Sequence, residues 1–449
     1  MSTPTTNPHR FFNTLQQQLP AATARLQDID AEALARRSGF LARSPRKIPI
    51  PQFLQGLLAL APETSLSLER VAGVVGLAAQ TTYTKQALSE RLSESIQPFL
   101  AEVITAFLGQ LSHSVDTSRL LESFDRVLVQ DSTVQSLPQH LAHLFPGGGN
   151  QHGHDCAALK IQWICDLKNS AVEHVSLSGF TRNDQTAAPD ILAVARPGDL
   201  VLRDLGYFVV GLLGRFVAQR IFFLTRHLHC TDFHDPQTGQ PFDLHARLRA
   251  TPVLDLQLLL GADRVPVRLV ALPVPEEVAN LRRHRAKAYA RRHFRAPPSK
   301  EHLFLMGWNL LLTNVPASIW PPKALAAVYR LRWRIEIIFK TWKSHLGLGR
   351  LNCRTTALVQ LSVLTKLLFC ALVCQMCDVL ELHCAEGEHV SLLRLGHILG
   401  QWACWFSALV LNISLSDWME FSLAHHALYD RRKDRQNYYQ LLANAKTLA

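Results

Sequence analysis

Apolar residues follow different patterns along the chain, and each pattern predicts a different kind of structure. Up to about residue 115 they recur every three or four positions, which is typical of amphipathic helices. From about residue 120 short apolar runs predict strands, beginning with RVLVQDSTVQSL, CAALKIQWICDL and AVEHVSLSGF. A short helix, a strand, a helix and a strand follow. The sequence therefore predicts a mixed sheet with helices on its faces.

A segment from about 235 to 315 interrupts this order. It contains the alternating runs VLDLQLLL and VPVRLVAL, the basic stretch LRRHRAKAYARRHFR and the strand-like WNLLLTNVP. We interpret it as a β-rich insertion, whose cations either contact phosphate or form a solvated helix face. A long helix is then predicted to begin near Pro322, and the chain is helical beyond about 355.

Two helical segments have alternative interpretations. LERVAGVVGLAAQTTYTKQALSERLSESIQPFL has two periodic stretches separated near residues 80–82. It fits a helix-turn-helix whose second helix exposes Lys85 and Arg91, or an ordinary helical hairpin.

Residues 357–380 are apolar enough to resemble a membrane span, but they include Lys366 and Asp378. A buried core helix is therefore expected, and no membrane association.

The composition indicates a folded protein of two or three domains. The chain has 449 residues, of which 48% are hydrophobic and 18% charged. The net charge of +11 favours a polyanionic partner such as nucleic acid. The nine cysteines form no disulfide framework, and the N-terminus lacks the apolar core of a signal peptide, so a reducing cytoplasm is expected. Two groups have weak zinc-ligand character: Cys374 with Cys377, and His227, His229, Cys230 and His234.

The segment AVYRLRWRIEIIFKTWKSHLGL carries the most informative pattern. At about 100° per residue from Tyr329, Arg332 falls at about 300°, Glu336 at about 340° and Lys343 at about 320°. One acid, two bases and a phenol thus share one stripe, either as solvated ion pairs or as a metal ligand beside phosphate-binding groups. A separate buried face is predicted from Val328, Leu331, Ile335, Ile338, Trp342 and Leu346.

Two aspartates upstream strengthen the second interpretation. Asp131 is predicted to end a strand and begin DSTVQS, and Asp204 to end VLRD before a turn at Gly206. Either could be a turn or capping residue, but acids at strand ends often mark a site. If Asp131, Asp204 and Glu336 converge, their repulsion requires a cation such as Mg²⁺ or Mn²⁺. Two such ions suit phosphodiester displacement.

Here the sequence resembles the bacterial cut-and-paste DDE transposases of insertion-sequence family four. The resemblance lies in DSTVQS, RDLGYF and the Tyr329-x2-Arg332-x3-Glu336-x6-Lys343 spacing, and it covers roughly residues 120–355. It implies a ribonuclease-H-like (retroviral-integrase-like) α/β core with a β-rich insertion between the second and third acids. The expected regions are a helical DNA-binding domain at 1–115, the core at 120–234 and 316–385, the insertion at 235–315 and a helical region at 386–449.

The resemblance also implies roles for individual residues. Asp131, Asp204 and Glu336 would be the catalytic metal ligands, with two Mg²⁺ or Mn²⁺ ions. The residues expected to bind DNA at the transposon end are Tyr329, Arg332, Lys343, Arg226 and Trp308. Trp308 resembles the aromatic that accommodates a flipped base during hairpin processing, a buried structural Trp being the alternative.

The expected reaction is DNA cleavage at the element ends and strand transfer into target DNA, through a hairpin intermediate. The expected partners are double-stranded DNA and a second copy of the chain in a synaptic dimer. Two alternatives stay open at this point. One is a nuclease of the same fold that cleaves DNA without joining it, and the other is a catalytically silent DNA-binding regulator derived from a transposase.

Overall fold

The computed structural model describes residues 8–42, 48–63, 66–92, 95–110, 120–148, 156–169, 171–344, 355–385 and 388–426. Within these residues the chain divides into two compact units. The helical unit comprises the described residues of Met1–Val103, Trp342–Met376 and His383–Ala449, and the sheet unit those of Ile104–Thr341 and Cys377–Leu382.

Helices occupy the N-terminal part of the chain, as its periodicity predicts. They are α1 (Pro8–Ala24), α2 (Ala31–Arg37), α3 (Ile50–Leu60), α4 (Leu68–Ala78), α5 (Lys85–Arg91) and α6 (Ile96–Gln110). Ser67 and Thr84 cap α4 and α5 by accepting bonds from backbone N–H groups three residues on. Lys85 is exposed, whereas the Arg91 guanidinium donates to the Ile48 carbonyl at 3.1 Å. Of the two cations predicted on an exposed helix surface, Arg91 is thus already bonded within the protein.

The middle of the chain alternates strands and helices. Its elements are β1 (Val127–Leu137), β2 (Ala157–Asp166), β3 (Val172–Gly179), α7 (Asp184–Ala187), β4 (Leu200–Arg203), α8 (Val210–Ala218), β5 (Phe222–Arg226), β6 (Phe233–His234), α9 (Leu244–Ala250), β7 (Leu254–Leu260), β8 (Val265–Pro273), α10 (Glu276–Arg292), α11 (Lys300–Leu305), β9 (Trp308–Thr313), α12 (Pro322–Leu331) and α13 (Trp333–Ser344).

Within the described residues these strands form one nine-stranded sheet in the order β3-β2-β1-β4-β5-β9-β8-β7-β6. The central strands β1, β4 and β5 are parallel, and the outer pairs are antiparallel. α8 connects β4 to β5 and buries Leu212, Leu213 and Phe216 in the core that covers one face of the sheet. The mixed sheet with helices, predicted from the apolar runs, is confirmed.

The segment 235–315 contains the predicted strands at both alternating runs, as β7 and β8. The structure adds that these strands continue the main sheet, because β9 pairs with both β8 and β5. The segment also holds α9, α10 and α11, so strands make up only part of it. The basic stretch forms α10, with Glu276 and Glu277 in the first turn and Arg291 and Arg292 in the last, an order that the helix dipole favours.

The helix predicted to run from Pro322 is divided at Arg332 into α12 and α13. The Arg332 backbone N–H bonds to the Tyr329 carbonyl at 3.3 Å, three residues back, which tightens the chain at this point. The predicted buried face is correct at Val328, Ile335, Ile338 and Trp342, which are all buried.

The prediction is wrong at Leu331, which is 40% exposed. Leu331 is the last residue of α12, so a single helical wheel drawn through both helices does not hold there. Leu346, also predicted on the buried face, lies outside the described residues.

The C-terminal part of the chain is helical again. Its described helices are α14 (Thr356–Glu381), α15 (Leu392–Gln401), α16 (Ala403–Leu411) and α17 (Leu415–His426). α14 is long and apolar enough to cross a membrane, yet 83% of its most apolar window is buried in the structure. Its Lys366 ammonium donates to the Glu63 carbonyl within the helical unit. Both observations favour the predicted core helix. Residues 427–449 of the predicted 386–449 region lie outside the described residues.

Candidate active site

Asp131 lies within β1, opposite Trp163 of β2, and not at a strand end as the sequence predicted. The parallel pairing of β1 with β4 ends two residues earlier, at Val129 and Leu202. β1 then continues to Leu137 while paired with β2. Asp131 therefore stands at the carboxyl edge of the parallel part of the sheet, although its own strand extends further.

Burial raises the pKa of the Asp131 carboxyl group to about 6. The backbone N–H of Ser132, which donates to Oδ1 at 2.8 Å, and the charge of Arg332 oppose this rise. The neighbouring carboxylates Asp204 and Asp184 add to it. Asp131 thus sits where a negative charge is costly unless a cation lies beside it.

Asp204 follows β4 directly, as predicted. β4 is flanked by the parallel strands β1 and β5, so its end reaches the same edge of the sheet as Asp131. Asp204 also precedes the short 3₁₀ turn Leu205–Tyr207 and accepts a long contact of 3.5 Å from the Gly206 N–H. The strand and the turn together hold this carboxylate at the sheet edge.

Glu336 lies in the first turn of α13, and one guanidinium joins it to both aspartates. Arg332 Nη2 is 2.6 Å from Glu336 Oε1 and 3.6 Å from Asp204 Oδ1, and Arg332 Nη1 is 3.7 Å from Asp131 Oδ2. The structure therefore brings the three predicted acids together around a single, buried cation. Although burial opposes its charge, the pKa of Arg332 is raised by Asp204, Tyr329 and Glu336.

The arrangement is not yet a metal site in geometric terms. Among the described residues, no group of three His, Cys, Asp or Glu side chains stands in an arrangement that could hold a metal ion. The Arg332 guanidinium lies among the three carboxylates, 2.6 to 3.7 Å from an oxygen of each. Neither of the two zinc-ligand candidates considered from the sequence forms such a group in the part of the chain that the structure describes; Cys230 Sγ instead lies 2.8 Å from His229 Nδ1.

Tyr329 and Arg226 border the acids. The Tyr329 hydroxyl donates to the carbonyl of Arg203 at 3.2 Å, directly before Asp204, and burial raises its pKa. Arg226 ends β5 with its side chain 49% exposed and its Nη2 3.6 Å from Asp204 Oδ1. Both residues are thus where the sequence predicts them, with Arg226 open to a ligand that approaches the acids.

Trp308 begins β9 and is partly exposed. Its Nε1–H donates to the Pro252 carbonyl at 2.8 Å, and its ring packs against Phe304 at 4.7 Å between centroids. It lines a cavity of about 360 Å³ that Arg226 and Leu205 also line. The cavity therefore connects Trp308 with the guanidinium of Arg226, which contacts Asp204.

Lys343 lies two turns beyond Glu336 on α13 and is exposed. No contact in the described structure assigns it a partner. Its phosphate-binding role stays a prediction from the spacing.

A polar network behind Asp131 was not predicted from the sequence. Ser132 Oγ donates to Asp184 Oδ1 at 2.8 Å, and Lys160 Nζ lies 2.8 Å from the same oxygen. The Tyr207 hydroxyl donates to Gln162 Oε1 at 2.7 Å, and Gln162 lies opposite Ser132 in the sheet. One feature of the sequence could have indicated this network. Lys160 and Gln162 lie at alternate positions of an apolar strand, where buried polar side chains need hydrogen-bond partners.

The comparisons with known proteins agree with this geometry. A family model described as the transposase DDE domain matches residues 122–374, more than half of the 449 residues. The chain belongs to this family. The match begins just before β1 and ends within α14, so it includes Asp131, Asp204 and Glu336.

Curated relatives are transposases of bacterial insertion sequences. The transposase for insertion sequence element IS231C of Bacillus thuringiensis subsp. berliner is 28% identical over 339 residues, which cover 70% of each chain. The IS231D transposase of Bacillus thuringiensis subsp. finitimus is 27% identical over 336 residues, again 70% of each chain. The putative transposase InsL for insertion sequence element IS186A of Escherichia coli (strain K12) is 36% identical over 103 residues, 23% of this chain and 28% of the relative.

The resemblance to bacterial DDE transposases, stated from the sequence, is confirmed. The protein is a DDE transposase of the bacterial insertion-sequence type, an enzyme that acts on DNA, and family four is consistent with the comparisons. A DDE domain depends on divalent metal ions. The donor set here fits such ions, because three carboxylates supply hard oxygen ligands and already share one cation.

Proposed function

We propose that this transposase cleaves DNA at the ends of a mobile element and joins the freed 3′ ends to target DNA, with Asp131, Asp204 and Glu336 as ligands of two Mg²⁺ or Mn²⁺ ions. The observation that carries the proposal is the convergence of the three acids on Arg332. Carboxylates so close together repel one another unless a cation compensates them. Arg332 supplies that charge here, and divalent ions would supply more of it.

The roles of the chain's own groups follow from where they lie. When bound, the ions would assist the attacking oxygen and stabilise the leaving oxygen of an in-line displacement. Arg332 would then turn from the carboxylates to a phosphate, a ligand that a guanidinium binds in the same planar geometry. Arg226, exposed beside Asp204, would hold a neighbouring phosphate, and Lys343 another along α13. Tyr329 would fix the end of β4, and so Asp204, through its bond to Arg203.

A hairpin intermediate is part of the proposal, and Trp308 is the residue assigned to it. A nucleotide at the fold of a hairpin is not held in a continuous duplex, so extruding it from the stack costs less than extruding a paired base. The cavity of about 360 Å³ beside Trp308 opens next to Arg226. A base placed there would stack on the indole face while its phosphate remains near a guanidinium.

The finer architecture is proposed on the same basis. The order β3-β2-β1-β4-β5, with α12 and α13 carrying the third acid, supports a ribonuclease-H-like core. We assign the core to 120–234 and 316–385 and the insertion to 235–315. The helical region 1–115 is assigned to DNA binding, and 386–449 to a helical extension. A synaptic homodimer in the bacterial cytoplasm completes the proposal.

A strand-transfer assay tests the reaction against its alternatives. The purified full chain is incubated with Mg²⁺, a labelled duplex from the border of its own element and a supercoiled plasmid. The proposal expects labelled plasmid in addition to cleaved duplex. Cleavage without joining would identify a nuclease, and border binding without cleavage would identify a silent regulator; either result would overturn the proposed reaction.

A further inference from the structure

The C-terminal half of α10 exposes a stripe of cationic and aromatic side chains. Arg285, Tyr289 and Arg292 are spaced i, i+4 and i+7, which places them within about 60° on one helix face. The Arg295 guanidinium lies 5.6 Å from the centre of the Tyr289 ring, so Arg295 covers the same face. We call Arg285, Tyr289, Arg292, Phe294 and Arg295 the α10 stripe.

Among the described residues, the charges of the α10 stripe have no acidic partner. The ion pair recorded within α10 joins Arg283 to Glu276, near the other end of the helix. Over the residues that the structure describes, no ion pair joins Arg285, Arg292 or Arg295 to a carboxylate. All three are exposed. Such a surface is complementary to a polyanion.

Phe294 combines two unfavourable features at the end of this surface. Its side chain is 90% exposed, the most exposed large hydrophobic residue in the described chain. Its φ of 51° is a left-handed conformation that favours glycine. Backbone bonds fix it there, since Arg295 N donates to Ala290 O at 2.9 Å and Phe294 N to Arg291 O at 3.3 Å. This is the helix-ending motif in which glycine is usual.

We propose that the α10 stripe is a docking surface for target duplex DNA, in which the guanidinium groups bind phosphates and Phe294 inserts against a partly unstacked base step. Apolar side chains presented beside cations are the means by which proteins wedge and bend a duplex. A phenyl ring has no hydrogen-bonding group and cannot read the donor and acceptor pattern of the base edges. Such a surface suits target DNA, whose sequence changes between events, better than an element end of fixed sequence. The inference rests on the proposed strand transfer.

The position of α10 fits this role. Arg282, on the same helix, lines the cavity that also contains Trp308 and Arg226. Phe294 lies twelve positions after Arg282 and two beyond the end of α10, which corresponds to about 18 Å at the rise per residue of a helix. At a spacing of about 3.4 Å per base pair, this is the length of about five base pairs. A duplex that reacts at Asp131, Asp204 and Glu336 and runs along α10 would meet Phe294 within one turn of the double helix.

Binding to random-sequence DNA tests the wedge. Fluorescence anisotropy compares the full chain on two labelled 30-base-pair duplexes, one fully paired and one with a central mismatch that unstacks easily. The wild type should bind the mismatched duplex about tenfold more tightly, because part of the unstacking cost is already met. Phe294→Gly should lose this preference, and Leu281→Ala, an exposed apolar residue on the same helix, should keep it.

The glycine variant separates lost contact from lost folding. Glycine fits the left-handed position, so Phe294→Gly should melt at the wild-type temperature or above it. A stable Phe294→Gly protein that keeps both the affinity and the mismatch preference would overturn the inference. A wild type that does not distinguish the two duplexes would overturn it as well.

Salt dependence tests the guanidinium groups. Arg292→Gln should lower the slope of log affinity against log salt on the random duplex by about one unit. Lys287→Gln removes the same charge from the opposite side of α10 and should lower it far less. Equal slopes for both variants would overturn the docking surface. Neither assay involves chemistry, so normal binding with failed strand transfer would count against the proposed reaction alone.

Discussion

Arg332 Nη2 lies 2.6 Å from Glu336 Oε1, and the same guanidinium reaches Asp131 and Asp204 within 3.7 Å. The arginine of the family spacing and the third acid are thus direct partners, one helical turn apart. The contact compensates three carboxylates that are distant in the sequence. It also makes Arg332 a competitor for the cations that the acids are proposed to bind.

Removing this arginine should therefore make the protein depend on metal ions for stability. Arg332→Gln removes the one cation that contacts all three carboxylates, so its melting temperature in EDTA should fall below that of the wild type. Mn²⁺ should raise it more than it raises the wild type, with an affinity at least about tenfold higher, equivalent to about 1.4 kcal/mol. Thermal melts during a Mn²⁺ titration measure both quantities.

Arg330→Gln provides the matched control, because Arg330 is an exposed neighbour on α12. It should titrate with Mn²⁺ as the wild type does. An Arg332→Gln protein with the wild-type response to Mn²⁺ would show that the guanidinium and the ions do not share a site.

The polar network that joins Asp184 to Ser132 and Lys160 should position Asp131 during cleavage. Asp184→Asn weakens the bonds to Ser132 and Lys160, and one such contact to a charged group is worth about 1.5–3 kcal/mol. Cleavage should slow about tenfold or more, while border binding in a gel shift stays unchanged. Asp190→Asn, which breaks an ion pair with Arg182 elsewhere in the sheet unit, should cleave normally. Equal rates for both variants would leave Asp184 without a role in the site.

Trp308 should act on the hairpin steps more than on the first nick. Trp308→Ala removes the stacking face, worth about 1–3 kcal/mol per base, and should slow hairpin formation or opening. Trp308→Phe loses the bond to Pro252 but keeps an aromatic ring on which a base can stack. It should therefore retain most of the rate. Denaturing gels resolve nicked, hairpin and opened products. If nicking and hairpin steps slow equally in Trp308→Ala, the residue is structural.

Stability should fall in acid because of His227. Burial lowers the pKa of this histidine to about 4, below its ordinary value of about 6.5. Between these values the unfolded chain binds a proton that the folded chain excludes, so the stabilisation is present above about pH 6.5 and is lost as the pH falls towards 4. The change is up to about 3 kcal/mol.

Urea unfolding at pH 7 and pH 4.5 measures this change. His227→Leu should show a smaller loss of stability between the two pH values, and the exposed His284→Gln should behave as the wild type does. The same loss in His227→Leu would assign the acid sensitivity to other groups.

The sequence predicts those features that depend on neighbouring residues. The apolar runs indicate β1, β2, β7 and β8, and the spacing around Glu336 places Arg332 one turn away, where the structure has it. Pairings between distant segments were not predictable, because alternation along one strand does not identify its partner. The junction of β5 with β9 and the Asp184 bond to Ser132 are of this kind. The break at Arg332 was missed because the apolar periodicity continues across it.

The most direct test of the central claim is cleavage by Glu336→Gln. The substrate is a labelled duplex from the border of the element, assayed with Mg²⁺ or Mn²⁺, and border binding is measured in parallel by gel shift. The amide keeps the shape of the side chain but loses its charge, so cleavage should fall at least about 10³-fold, or about 4 kcal/mol, with binding retained. A Glu336→Gln protein that cleaves at the wild-type rate would contradict the assignment of the three acids as the metal-binding catalytic site.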